Sequence, residues 1–405
     1  METRNIKRSA VLLVSSLLAV DAFLSSSSTR LSTLKTHKVP SDDSRQYPSS
    51  KSAIYSSASD LLYQDQQAAM LRRALREEEL LSEKKKPKEL KAAKVKAAPQ
   101  KAGTGFGAAS KPMSESARLG AAQAKIVERD GVFRINEALS AETSDRLRAY
   151  LLDQQRLAAE ATEANPLASK LYYGVEQARK NRCDMHLSLT RGGIHDEDKD
   201  GDHIVADALS ELLCTDTGSL RPVFEALVTD DGELYEVAGI ITNPGSERQM
   251  IHPDLPYQKD APLYVIFLAL QDVSVEMGPT QFLLKSHTKG AIDIFDGGDM
   301  DAKDEQLRNA DCRLSLLRKG DAVLFDARVL HCGGANDADL GKTRVMLNFS
   351  FRNPKVTGDI GYKGSIMPGY VGAMSLGDVT EGLDMYKSGG DRDPFAKYGN
   401  GIKMP

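Results

Sequence analysis

Between residues 234 and 351 the chain breaks repeatedly into short apolar or alternating runs, each closed by a turn sequence. The runs at 234–243, 263–272, 281–284, 313–318, 322–326 and 344–351 read as strands. Asn243-Pro244-Gly245, Met277-Gly278-Pro279, Lys319-Gly320-Asp321 and Cys332-Gly333-Gly334 separate them. In the last run Val345, Leu347, Phe349 and Phe351 face one way, and Met346, Asn348 and Ser350 the other. Ahead of these runs, 131–135 predicts a first strand, Ser140 an N-cap and 143–154 an amphipathic helix. Further helix is expected over 165–179 and 204–213. No repeat of fixed period is present. A helical start followed by many short antiparallel strands predicts a mainly β domain with flanking helices and a jelly-roll core.

The N-terminal part has a different composition. Arg4, Lys7 and Arg8 precede the apolar run 10–20, and Ala22 stands before Phe23, so residues 1–22 read as a signal peptide. The run is too short and too serine-broken to anchor the chain in a bilayer, and no other segment reaches the roughly 18 apolar residues of a span. Residues 23–59 are rich in Ser and Thr and mostly basic, the composition of a transit peptide. The join at Ala22-Phe23 resembles the two-part leaders of algae with secondary plastids, which implies plastid import through the secretory route. The alternative is a secreted or ER-lumen protein. Residues 60–115 read as a charged helix followed by a Lys/Ala-rich linker broken at Lys84-Lys85-Lys86-Pro87-Lys88. Residues 116–375 are long enough for one large domain with its own core, leaving 376–405 as a C-terminal tail.

A net charge of -4 argues against a generic nucleic-acid binder. The four cysteines, Cys183, Cys214, Cys312 and Cys332, form no CxxC pair or staple pattern and read as free thiols.

Seven histidines can be sorted by position. His37 lies in the leader, and His186, His195 and His203 precede the strand-rich half; His252, His287 and His331 remain. His252-Pro253-Asp254 follows a predicted strand and turn, and residues i and i+2 of an extended chain point to the same side. An imidazole and a carboxylate there can converge on one ion. His331 lies far downstream, at a strand end before a Gly-Gly turn. Two histidines and a carboxylate on one face of a metal leave the opposite face open, as in non-haem Fe(II) oxygenases. Arg344, on the following strand, can grip the distal carboxylate of a 2-oxo acid in a two-pronged bond that lysine matches less well. Cys332 follows His331 directly and would point away from the ion.

The stretch 252–354 resembles the phytanoyl-CoA dioxygenase family. The resemblance lies in His252-Pro253-Asp254-Leu255-Pro256-Tyr257, Ala269-Leu270-Gln271-Asp272-Val273, Met277-Gly278-Pro279-Thr280, Ser286-His287-Thr288, 320–326, Val329-Leu330-His331 and 344–354. It implies a double-stranded β-helix, with His252, Asp254 and His331 holding Fe(II) and Arg344 holding 2-oxoglutarate. It further implies consumption of O2, release of succinate and carbon dioxide, and hydroxylation of a small-molecule or lipid-like substrate. Some relatives carry a serine two residues after the distal histidine; Gly333 stands there and offers no hydroxyl. His287 reads as structural, with a donor next to the ligands as the alternative.

Asp196-x-Asp198-x-Asp200-Gly201-Asp202, followed by Asp207, imitates an EF-hand loop. Its last position is Asp rather than Glu, and the residues before it do not read as a helix, so a solvated acidic loop capping the next helix is expected. Asp254 argues against halogenation, which needs a small residue in place of the carboxylate, and Arg344 against a keto-acid-independent cupin enzyme. A catalytically inactive barrel that binds or scaffolds is the alternative from outside enzymology.

Overall fold

The computed structural model describes residues 113–175, 180–189, 203–297, 299–360, 372–390 and 393–398. The leader, nearly all of 60–115 and most of the acidic run beginning at Asp196 lie outside the described residues.

Helix α1 (Glu115–Asp130) leads into strand β1 (Val132–Ile135). Helix α2 (Ala141–Ala164) starts where expected, with the Ser140 side chain accepting from Thr143 N, and runs ten residues past the expected end at 154. Its last turns are rich in Ala, Leu, Arg and Glu, the residues with highest helix propensity. The helix expected over 165–179 is corrected over 165–175, and 176–179 lie outside the described residues. Asn165 is extended (φ -147°, ψ 106°) ahead of Pro166, as the proline ring requires. Only a 3-10 turn (Pro166–Ala168) and α3 (Ser169–Tyr172) are helical before the chain turns into β2 (Tyr173–Val175). A strand not expected from the sequence, β3 (Arg182–His186), comes next, followed by α4 (Ile204–Leu213) and α5 (Arg221–Val228).

The strand-rich half contains β4 (Glu233–Thr242), β5 (Leu263–Ala269), β6 (Thr280–Leu283), β7 (Cys312–Leu314), β8 (Ala322–Asp326), β9 (His331–Gly333) and β10 (Arg344–Arg352). Helices α6 (Lys289–Asp296) and α7 (Met300–Asn309) lie between β6 and β7. The segment read as a C-terminal tail holds α8 (Leu376–Lys387), opened by a capping box of Ser375 and Asp378, with Leu376, Val379 and Leu383 buried.

Ten strands form two antiparallel sheets among the described residues, one ordered β1-β8-β5-β10-β4-β3-β2 and one ordered β7-β6-β9. The class is therefore mixed α/β with antiparallel sheets rather than mainly β. Helices α5, α6, α7 and α8 are short amphipathic pieces whose patterns stand out only once they pack.

Strand β10 lies between β4 and β5, so both of its edges are hydrogen-bonded, and each of its faces packs into a core. Val345, Leu347, Phe349 and Phe351 join a core with α1, α2, α4, α5 and α8, where the Phe224 ring meets Phe349 at 5.7 Å and Phe351 at 5.0 Å. Met346 joins a second core on the opposite face, with Val265, Phe325 and, from the small sheet, Phe282. The Phe282 and Phe325 rings meet at 5.0 Å, so the inner face of the large sheet packs against the small sheet. No helix among the described residues is long and apolar enough to cross a membrane.

The two faces of β10 predict opposite responses to mutation. Phe349→Ala leaves a void in the helix-side core and lowers unfolding free energy by about 3–5 kcal/mol in urea titrations. Asn348→Ala, next in the chain but on the inner face, removes no apolar packing and changes it by less than about 1 kcal/mol.

Candidate metal centre

After the turn at the end of β4 the chain runs extended beside β9. Gln249 N donates to Gly333 O (2.9 Å), His252 N to His331 O (3.0 Å) and His331 N to His252 O (2.9 Å). Pro253 has no N–H to continue the ladder, and Asp254 N turns to Ala327 O instead (2.9 Å). His252 and His331 thus form an antiparallel bridge that brings residues far apart in sequence side by side.

Their side chains meet Asp254. Its Oδ1 lies 3.7 Å from His252 Nε2 and 3.5 Å from His331 Nε2, and one donor atom from each of the three residues falls within 4.8 Å of the others. Both rings present Nε2 for the same reason. His252 Nδ1 lies 2.7 Å from Met250 O and His331 Nδ1 2.9 Å from Val329 O, so each Nδ1–H donates to a backbone carbonyl and Nε2 is the nitrogen that carries the lone pair. His331 is buried, its ring stacked on Phe282 at 5.7 Å and beside Phe325 at 5.1 Å, whereas His252 is 34% exposed at the open edge. Two neutral imidazoles and a carboxylate, with the remaining side open to a cavity, suit a first-row transition ion such as Fe(II).

Arg344 begins β10 opposite Thr242 and lines the same cavity, of about 180 Å³. Its Nη1 donates to Gly278 O and its Nη2 lies 3.4 Å from Thr242 Oγ1, while its buried Nε has no hydrogen-bond partner. Burial, with the Arg182 guanidinium nearby, pushes its pKa down to about 9. A bound carboxylate would relieve both effects, since it supplies the missing charge and acceptor. Gly278 makes the contact possible. It adopts φ +65°, and a Cβ there would lie 2.4 Å from the backbone oxygens of Gly334 and Ala335.

Arg182 and Gln249 are among the lining residues that no sequence motif marks. Arg182, on the unexpected strand β3, pairs in register with Thr242 and so shares a row with Arg344. Gln249 lies three residues before His252, and its Oε1 accepts from Gly333 N (2.8 Å). A Cβ on Gly333 would stand 2.8 Å from that oxygen and 3.1 Å from Arg182 Nη1. The place where a serine side chain would project is thus occupied by Gln249 and Arg182. Recognising β3 as a strand would have raised Arg182, because alternation puts it on the cavity side; no local pattern marks Gln249.

The other sequence candidates lie elsewhere. His287 Nε2 lies 3.0 Å from Glu128 O at the end of α1, a structural contact away from the three ligand candidates. His203 is the N-cap of α4, accepting from Ala206 N. Asp207, last in the EF-hand-like spacing, bonds Arg146 at 2.9 Å and Tyr386 at 2.8 Å. All four cysteines are free, and Cys332 Sγ faces Arg248 Nη2 at 3.6 Å. Burial raises the thiol pKa of Cys332; it also pushes those of Cys183 and Cys214 up to about 11 and that of Cys312 up to about 12, so none is poised as a thiolate.

Several solved structures resemble the chain at low identity. The 2-oxoglutarate-dependent epimerase SnoN from nogalamycin biosynthesis is 18% identical with a TM-score of 0.40, over 61% of this chain and 94% of that one. The non-haem monooxygenase ThoJ, as its nickel complex, is 16% identical with a TM-score of 0.40, over 58% and 78%. HygX from Streptomyces hygroscopicus, solved with nickel, 2-oxoglutarate and hygromycin B, is 13% identical with a TM-score of 0.37, over 60% and 95%. No curated protein matches the sequence. The family model of phytanoyl-CoA dioxygenase matches residues 127–343, a span that holds both histidines and the aspartate of the cluster. That match covers more than half of the sequence, and the chain belongs to the phytanoyl-CoA dioxygenase family of Fe(II)- and 2-oxoglutarate-dependent oxygenases.

Proposed function

We propose that the chain is a non-haem Fe(II)- and 2-oxoglutarate-dependent dioxygenase that hydroxylates a small-molecule or lipid-like substrate, releasing succinate and carbon dioxide. The observation that carries this reading is the convergence of His252 Nε2, His331 Nε2 and Asp254 Oδ1 beside a cavity that also holds Arg344.

Iron, 2-oxoglutarate and O2, when bound, supply oxidative decarboxylation coupled to oxidation of a substrate C–H bond. The protein's part is placement. His252, His331 and Asp254 hold the ion, and the backbone carbonyls of Met250 and Val329 fix the two imidazole planes through Nδ1. Arg344 takes the far carboxylate of the cosubstrate, and Arg182 in the same row adds a second positive charge. Phe282 and Phe325 exclude water from the buried side of His331, which strengthens electrostatic contacts there.

The two facing sheets are read as the halves of a double-stranded β-helix, within an oxygenase domain spanning 116–375. The leader of 1–22 and 23–59 is assigned to plastid delivery.

Three outcomes test this reading. His252→Ala leaves purified protein without stoichiometric iron by metal analysis. Arg344→Ala keeps iron but weakens 2-oxoglutarate binding roughly 10–100-fold, read from the absorbance that Fe(II) and 2-oxoglutarate develop together without oxygen. Gly278→Ala forces backbone apart under Arg344, and about 1–3 kcal/mol of strain appears as a lower melting temperature together with weaker 2-oxoglutarate binding. Wild-type protein that develops no such absorbance and decarboxylates no 2-oxoglutarate with any candidate substrate would overturn the oxygenase reading.

A further inference from the structure

The three candidate ligands are held in different ways. Each imidazole is aimed by a hydrogen bond from its own Nδ1. Among the described residues no donor hydrogen-bonds the Asp254 carboxylate, which meets the two imidazoles at 3.7 and 3.5 Å. A ligating carboxylate normally has a hydrogen bond of its own to orient it. Here the backbone that carries Asp254 must set its aim.

That backbone is tied to the turn between β8 and β9. Asp254 N and Leu255 N donate to Ala327 O at 2.9 and 3.1 Å, and Ala327 N donates to Leu263 O at 3.0 Å. The turn therefore grips the loop 255–262 at both ends. Arg328 grips its middle, with Nη1 donating to Gln258 O and lying 3.3 Å from Lys259 O. The guanidinium is itself held by Asp326. Its Nε and Nη2 fork onto Oδ1 and Oδ2 at 2.9 and 2.6 Å, and Arg328 N donates to Oδ1 at 2.9 Å. Asp326 and Arg328 are 1% and 7% exposed, so the pair is buried. The next residue, Val329, supplies the carbonyl that aims His331. Four consecutive residues thus hold the loop that begins at one ligand and orient a second.

A buried ion pair is an expensive way to hold a loop, because apolar side chains of similar volume often stabilise a fold as well or better. What they lack is direction. A guanidinium presents its donors in one rigid plane, so it can bind a carboxylate on one edge and carbonyls on the other without freedom to swing. From this geometry we infer that Asp326 and Arg328 are positioning residues for the metal centre. The pair fixes the loop 255–262 and thereby turns the Asp254 carboxylate toward the ion that His252 and His331 hold. The inference rests on the oxygenase reading for the identity of that ion, but the positioning role can be tested with metal alone.

Full-length protein is titrated calorimetrically with Ni(II) in the absence of 2-oxoglutarate. Removing Arg328 alone leaves the Asp326 charge buried without a partner, so the paired replacement Asp326→Asn with Arg328→Met carries the test. This variant is expected to melt cooperatively near the wild-type temperature yet bind Ni(II) about tenfold more weakly. Arg328→Lys keeps the charge beside Asp326 without the fork, and its affinity is expected to fall between the two. The deciding comparison adds Asp254→Ala. Because the pair acts through that carboxylate, the paired replacement should weaken Ni(II) binding about tenfold with Asp254 present and less than about twofold without it. A merely structural pair would weaken binding equally in both backgrounds. That result, or wild-type Ni(II) affinity in the folded paired variant, overturns the assignment. Should the paired variant not fold, Arg328→Lys taken through the same comparison decides in the same way. Wild type that binds no Ni(II) instead overturns the metal centre, and the oxygenase reading with it.

Discussion

The pair of backbone hydrogen bonds between His252 and His331 is the constraint on which the candidate centre depends. It joins an extended segment after β4 to β9 of the small sheet, while Asp254 N and Leu255 N both donate to Ala327 O just after β8 of the large sheet. The segment carrying His252 and Asp254 is therefore tied to both sheets at once. Buried backbone groups need partners, so these bonds position the side chains as a consequence of satisfying the main chain. The Nδ1–H of each histidine then closes onto a carbonyl two residues earlier in the chain, which sets which nitrogen faces Asp254.

A second constraint is the burial of both faces of β10. Its outward residues, ending in the aromatic cluster of Phe224, Phe349 and Phe351, hold the helices on the sheet. Its inward residues Arg344, Met346 and Asn348 line the cavity. The strand that anchors the core thus also sets the spacing between a buried guanidinium and the polar wall beyond it. A cavity built on a central strand holds its geometry better than one built on loops, because neighbours on both sides share its hydrogen bonds.

Much of this was legible in the sequence. The period-two pattern of 344–351 and the apolar runs of 322–326 and 234–243 name strands, because burial on a pleated sheet imposes that period. The turn chemistry between them and the order His252, Asp254, His331, Arg344 pointed to one candidate site, and the structure brings these four side chains to one cavity. Other parts were hidden. Arg182-Cys183-Asp184-Met185-His186 is too polar to read as a strand, since Arg182 and Asp184 face a cavity rather than a core. Tyr173–Val175 looked helical because nothing local shows that β3 is there to pair with it.

By itself the sequence determined which residue types were available as ligands and in what order, together with the alternation that sends Asp254 to the same side as His252. Only the tertiary structure decided that His331 crosses to His252, that Arg182 stands in the row of Arg344, and that Gln249 fills the space beside Gly333. The physical reason is range. Side-chain direction along a strand is a local property of the backbone, whereas the partner across a sheet is set by register between segments far apart in the chain.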